Sequence, residues 1–441
     1  MDTVASWIWN PFLSLIYLEI GLLFLFMTKG AAWRYSWSIF REIWNEKPNV
    51  VNGRQISHKK AFLAALSATV GVGNLAGVGT AIHLGGPGAL FWMWMSALCG
   101  MSFRMCSTYL AVQYGPTDSK SRLFATPMSY MEAVLPQPWR QLSVVLAGLV
   151  LCKGLFTANL IQSNSVAHAI TNHLGLSNFI VATILAICVG LVVIGGMQVI
   201  IDFSSAVAPW MLLVYVGSGL WILLSDPLRT LQSLGMVVHY AFNSYSVGGG
   251  IAGYTVLRSL QFGVSRGIFS HSSGIGLAPF LQGANNDHPA RGAYMAALVP
   301  FVDTIIICTI TGLVILSTDL WPAFTGAYLA VSVFQANLGE TGRTLVIIAL
   351  MVFAFTTIIS WAYYSERCFE FLGGKNFVAY RWFFTGVSFC GPFFPVAFIW
   401  SVGDVLIALL LIAHLMPLTY IVIRKQEVLR QKLAPLSKPM T

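Results

Sequence analysis

The chain has 441 residues, of which 56% are hydrophobic and 9% charged, with a formal net charge of +9. A soluble domain carries about 25% charged residues, so water cannot face most of this surface and lipid must cover it. The composition excludes an ordinary soluble enzyme or nucleic-acid-binding protein and points to an all-α integral membrane protein.

About 20 apolar residues cross the hydrocarbon core as a helix. On that measure about eleven spans are predicted, over 9–28, 61–84, 88–113, 141–170, 178–197, 203–224, 250–283, 292–317, 344–371, 377–397 and 401–422. The first is read as a spanning helix, not a cleaved signal, because Asp2 stands where a basic leader would begin and Pro11 follows. With the N-terminus outside, the loop from Lys29 to Lys60 and the tail from Arg424 to Lys438 lie in the cytoplasm. Most other loop cations fall on that same side, and only Arg229 and Arg343 fall outside, as the positive-inside rule requires. Topology therefore explains the positive charge. The cysteines lie in or beside apolar runs with no CxxC spacing and read as small packing residues.

Without the first span, ten remain in two groups of five. The first span of one group carries Gly71-Val72-Gly73-Asn74-Leu75-Ala76-Gly77-Val78-Gly79; the first of the other carries Gly263, Gly267, Gly274 and Gly276 around Ser270-His271-Ser272-Ser273. Glycines interrupt corresponding helices, and five helices per group give the groups opposite orientations, the pattern of inverted-repeat transporters with broken helices at the midplane. One such motif alone would read as close helix packing. The expected organisation is a single transporter domain over 1–441: an extra N-terminal helix (9–28), repeats over 61–224 and 250–422, and a cytoplasmic basic tail (423–441). Backbone groups freed by a break are tolerated in a membrane only where they line a cavity. The half-helix starting near Asn74 would aim its positive end at an anion, freed carbonyls could hold sodium, and glycine permits close approach.

The segments SATVGVGNLAGVGTAI (67–82), GGPGALFWMWM (85–95), Arg266-Gly267-Ile268-Phe269-Ser270, Asp287-His288-Pro289, Phe301-Val302-Asp303-Thr304 and Ser360-Trp361-Ala362-Tyr363-Tyr364-Ser365-Glu366-Arg367-Cys368 occur in one order across 50–420. In these the chain closely resembles the alanine or glycine:cation symporter family of the amino acid–polyamine–organocation superfamily. The resemblance implies a leucine-transporter-like five-plus-five fold with an extra N-terminal helix. It also implies import of alanine or glycine coupled to sodium, sometimes to protons. The chain departs from the family in three places: Ser107 stands where a glutamate is usual, His271-Ser272-Ser273-Gly274 where Asn-Glu-Ala-Gly is usual, and Val72 where a threonine is usual.

The resemblance places Asn74 at the first break, where it either contacts a ligand or caps the second half-helix. Thr69, Gly71, Val72 and Gly73 would contribute backbone groups. Phe269, Ser270 and Ser273 lie on the second break, and Phe269 is either a pocket wall or ordinary core. His271 would either titrate and couple protons or stay a satisfied neutral side chain. In the wider superfamily, paired hydroxyls on the helix of Thr356 and Thr357 complete a sodium site with carbonyls near Thr69 and Val72; the alternative is bonding to their own helix. Trp361, one turn beyond Thr357, is either the lid of a small pocket or a membrane-interface tryptophan. Asp303, Arg104 and Arg266 lie within apolar spans and are expected to pair. Glu366 and Arg367 form a gate or snorkel at the cytoplasmic end.

No nucleophile elbow, phosphate loop or His/Glu zinc pattern is present, so no enzyme and no organic cofactor is expected. The expectation is a sodium:alanine/glycine symporter of the cell membrane, whose partners are a small amino acid, Na⁺ and lipid, with no nucleic acid. The alternatives are a proton-coupled or altered-substrate member of the family, or a non-transporting amino-acid sensor.

Overall fold

A computed structural model describes residues 8–45, 57–115, 125–244, 255–283 and 288–433, and among these there is helix but no strand. The chain opens with α1 (Pro11–Met27), where the Asn10 side chain accepts from Leu13 N–H at 3.0 Å and Pro11 takes the first position, which needs no donor. Lys29 and Gly30, both at positive φ, then turn the axis by 70° into α2 (Ala31–Asn45). This segment, expected as loop, is an amphipathic helix with Trp33, Trp37 and Trp44 on its exposed side and Ala31, Ala32, Ser36 and Ile43 buried. That pattern suits a helix lying along a membrane interface.

Next come α3 (His58–Thr69) and α4 (Gly73–Gly85), whose axes differ by 52° across 70–72 and whose junction includes a π-helical turn, Gly73–Gly77. Helix α5 (Ala89–Gln113) packs along α1 and two later helices and is nearly wholly buried from Ser96 to Ala111. After α6 (Pro127–Val134), helix α7 (Gln141–Cys152) runs through a π-helical turn, Lys153–Ala158, into α8 (Asn159–Leu174). Helices α9 (Asn178–Val193), α10 (Met197–Ser225) and α11 (Pro227–Tyr240) follow; α11 was expected as loop.

Helix α12 (Val256–His271) stops at Ser272, and the chain crosses Gly274 and Gly276, all three at positive φ, before the short α13 (Ala278–Gln282). A Cβ on Gly263 would lie 2.4 Å from the Ala89 carbonyl, so glycine is what lets α12 lie against α5. Helix α14 (Pro289–Pro300) continues through a π-helical stretch, Phe301–Cys308, into α15 (Thr309–Leu316). The long α16 (Gly326–Phe371) is interrupted at Gly339, and α17 (Phe377–Cys390), α18 (Val396–Arg424) and α19 (Gln426–Lys432) complete the order.

Among the described residues, five helical segments are long and apolar enough to cross a membrane: 137–172, 197–225, 289–316, 326–371 and 396–424; with the bent pairs α1–α2 and α3–α4 there are up to seven. Of the other expected spans, α9, α12 and α17 are too short for this test, with 16, 16 and 14 residues, and α5 fails it for a physical reason. A helix enclosed by its neighbours has no need to be apolar, and α5 carries Arg104, Ser96, Ser102 and Ser107 inside the protein. The outer helices show the opposite pattern: Ile184, Ile187, Leu191, Trp210, Leu213, Trp221 and Leu224 are exposed, as a surface solvated by lipid requires.

Candidate functional site

The two breaks meet in the middle of the protein. At the first, Gly71 N–H donates to Asn74 Oδ1 at 2.9 Å and Val72 N–H to Gln162 Oε1 at 3.1 Å. Asn74 thus ties the unwound Gly71 back to the second half-helix, whose cap position, Val72, has no side-chain cap. Its amide nitrogen reaches across to Asp303, donating to Oδ1 at 2.9 Å and to the backbone carbonyl at 3.1 Å. At the second break, Ser270 Oγ donates to Asp303 Oδ2 at 2.8 Å, joined by Thr304 Oγ1 at 2.9 Å. The buried Asp303 carboxylate therefore ties both breaks together through neutral donors.

The expected pairing of Asp303 with an arginine is not formed. Arg104 donates to the carbonyls of Ala296 and His271 and to Gln282 Oε1, at 3.1–3.2 Å, and so holds the open end of α12. Arg266 forms a two-pronged pair with Asp404 of α18 at 2.9 and 2.6 Å. Arg104 is satisfied by carbonyls and an amide of other helices and Arg266 by Asp404, apart from its Nε, which has no hydrogen-bond partner among the described residues; Asp303 is satisfied by hydroxyls and an amide, so no ion pair is needed there.

Helix α16 passes directly over the first break. Thr356 Oγ1 lies 3.2 Å from the Ser67 carbonyl and 3.1 Å from its own helix's Phe353 carbonyl; Thr357 Oγ1 lies 3.3 Å from the Val70 carbonyl. The carbonyls that meet these hydroxyls are thus those of Ser67 and Val70. A Cβ on Gly71 would sit 2.6 Å from Thr357 Oγ1, so the break and α16 touch with no side chain between them. Thr69 bonds only to carbonyls of its own helix, Ala65 and Leu66. Among the described residues no cluster of three His, Cys, Asp or Glu side chains could hold a metal. The oxygens that α16 and the first break turn toward each other are neutral, two hydroxyls and two carbonyls.

Phe269 lies beside Gly73, where a Cβ would come within 3.1 Å of its ring, and stacks on Trp400 at 4.8 Å. Trp361 is buried and packs edge-on to Tyr364 at 5.6 Å, so it lies inside the protein and not at an exposed interface. Ser273 turns away from the first break: its N–H donates to His271 Nδ1 at 3.1 Å and it packs on Gly100 of α5. With Nδ1 accepting, His271 Nε2 is left to donate to Ser96 Oγ at 3.2 Å, the pattern of a neutral imidazole. Ser107 joins Tyr130 and His414 in a buried cluster, and His414 Nδ1 reaches the Gly274 carbonyl at 2.7 Å.

Several groups at the centre were not singled out in the sequence. Gln162 approaches Gly71 and Val72 from α8. Lys153, a lone cation in the apolar run Leu149-Val150-Leu151-Cys152-Lys153-Gly154-Leu155, was a visible signal, since an ionisable residue inside a span is functional by default. Its Nζ lies 5.3 Å from the Phe269 ring centre and 5.2 Å from that of Trp361. Trp400 borders a cavity of about 690 Å³, lined also by Thr80, His83, His168, Arg266 and Asp404. At another point on α16, Glu366 accepts from Arg367 at 2.7 Å and from Arg381 at 2.5 and 2.9 Å, and Arg381 also donates to the Ile194 carbonyl at 3.2 Å.

The model of the sodium:alanine symporter family matches residues 1–434. The chain belongs to that family. Among its relatives, the sodium/alanine symporter AgcS of Methanococcus maripaludis is 34% identical over 430 residues, covering 95% of this chain and 93% of AgcS. The amino-acid carrier protein AlsT of Bacillus subtilis is 30% identical, covering 93% and 87%. The solved structure of MhsT in complex with L-phenylalanine superposes with a TM-score of 0.55 at 14% identity, covering 86% of this chain and all of that one; this likeness concerns the fold alone. The family member described here is thus a multi-pass membrane protein of a symporter family, all-helical and leucine-transporter-like in fold.

Proposed function

We propose that this protein imports small amino acids, alanine or glycine, together with sodium, by alternating access. The observation that carries the reading is the meeting of Thr356 and Thr357 with the Ser67 and Val70 carbonyls at an unwound helix. Hard cations take such oxygen ligands, and a sodium ion taking the place of these hydrogen bonds, with the hydroxyls reoriented and still protonated, would join α16 to the first break. The backbone of Gly71, Val72 and Gly73 with Asn74 would take the substrate carboxylate, once Asn74 and Gln162 release the N–H groups they now occupy. Ser270 and the second break would help hold the amine, and Phe269 and Trp361 would limit the side chain. Because sodium and substrate share the same break, each would favour the same conformer and tighten the other's binding. His271, with both ring nitrogens engaged, favours sodium over protons as the coupling ion.

The same reading takes the chain as one domain of eleven spans in the cell membrane, with the N-terminus outside, the C-terminus in the cytoplasm and two inverted five-helix repeats after the first helix. The cavity bordered by Trp400 would then be the outer vestibule, Arg266–Asp404 its floor, and the Glu366–Arg367–Arg381 cluster the inner closure. Purified protein in liposomes should accumulate labelled alanine and glycine uphill under an inward sodium gradient, and replacement of sodium by potassium should abolish accumulation. Uptake that ignores sodium would refute the coupling.

A further inference from the structure

Lys153 is not needed for the import of a neutral amino acid, and the fold places it beside the proposed substrate pocket. Its side chain is buried, 4% exposed, and its ammonium has no hydrogen-bond acceptor and no carboxylate within ion-pair distance among the described residues. What surrounds it is aromatic: Phe269 on one break and Trp361 on α16. Two ring faces at about 5 Å offset part of the lost hydration of an ammonium, but they accept none of its N–H bonds. Asp404, on α18, is already clasped by Arg266.

Two further observations aim the group. Lys153 opens a π-helical turn, Lys153–Ala158, a distortion that is frequent at functional sites because it redirects side chains. The next residue, Gly154, lies hard against α16, where a Cβ would come within 2.6 Å of Ser365, so this turn and α16 approach each other as backbones. The local charge is also unbalanced. Arg104, Lys153 and Arg266 are the buried cations around the two breaks, against the carboxylates of Asp303 and Asp404. Sodium would add a further positive charge; a zwitterionic substrate would remove none.

We propose that Lys153 binds a second carboxylate, so that the pocket takes a short acidic amino acid of the aspartate class, with the side-chain carboxylate on the ammonium between Phe269 and Trp361. This rests on the reading of those two aromatics as the pocket walls. The experiment uses the full-length purified protein and two readouts, thermal stabilisation by L-aspartate or L-alanine, and uptake of each into liposomes with and without a sodium gradient. The expected result is saturable stabilisation by aspartate in the wild type. In Lys153→Met the ratio of aspartate to alanine apparent affinity should fall at least tenfold, while Lys153→Arg holds it. If aspartate neither stabilises the wild type nor competes with alanine, the proposal is overturned, and sodium-driven alanine uptake would leave the symporter reading standing. Loss of both ligands together in Lys153→Met would also overturn it, because the lysine would then hold the carboxylate common to all amino acids. Aspartate binding without sodium-driven uptake would support the acidic pocket and sink the sodium symporter.

Discussion

The contact between Gly71 and Thr357 separates a packing role from an ion-binding one. A methyl group on Gly71 would lie 2.6 Å from Thr357 Oγ1 and 3.2 Å from Gln162 Nε2. Gln162 can yield a few tenths of an ångström, but Thr357 cannot without leaving the Val70 carbonyl. Overpacking of this kind costs about 1–3 kcal/mol, so Gly71→Ala should lower thermal stability and weaken apparent sodium affinity roughly 5- to 150-fold. Thr357→Ala removes the obstructing oxygen and should leave the fold nearly intact. If that oxygen is a sodium ligand, sodium affinity falls by about 1.5–3 kcal/mol, the size of a bond to a charged group. The double variant should then recover the stability lost in Gly71→Ala, a coupling of about 1 kcal/mol or more, without recovering sodium affinity. Thermal unfolding of the detergent-solubilised protein reads the first quantity, and the sodium dependence of alanine uptake in liposomes reads the second. A double variant as unstable as Gly71→Ala would show that the clash is not with Thr357. Wild-type sodium dependence in Thr357→Ala would show that the hydroxyl is not a ligand.

Two other substitutions test the remaining parts of the site. Asp303→Asn keeps the shape of the junction, since the Ser270 and Thr304 hydroxyls can reverse to accept, but makes three charge-assisted hydrogen bonds neutral. At about 1 kcal/mol each, alanine affinity measured by thermal stabilisation should fall on the order of 100-fold in a protein that still folds; unchanged affinity would remove Asp303 from the site. Glu366→Gln removes the carboxylate shared by Arg367 and Arg381, while Arg367 keeps Glu370 and Arg381 keeps the Ile194 carbonyl; a loss of about 1.5–3 kcal/mol should lower the melting temperature and allow substrate to leak from loaded liposomes. A tight, equally stable variant would count against a closure at that end.

The breaks were legible in the sequence because glycine and small polar residues inside an apolar span conflict with helix propensity and with lipid. Gly71, Gly73, Asn74, Gly274 and Gly276 each announce that conflict locally. Thr356 and Thr357 needed the family resemblance, because a threonine within a helix more often bonds its own backbone, as Thr356 also does here with Phe353. Helices α2 and α11 were missed since they are not apolar throughout; one buried face of a surface helix leaves a weak signal in a search for continuous apolar runs.

Chain composition by itself determined that this is a helical membrane protein, and local chemistry determined where two of its helices fail, because both depend on lipid and on neighbours within a few positions. Partner choice depended on tertiary structure. Asn74 meets Asp303 across 229 positions and Arg266 meets Asp404 across 138, while Lys153 finds its aromatic surroundings on two different helices. A buried polar group is satisfied by whichever donor or acceptor the packing brings within about 3 Å, and only the assembled helices decide which that is.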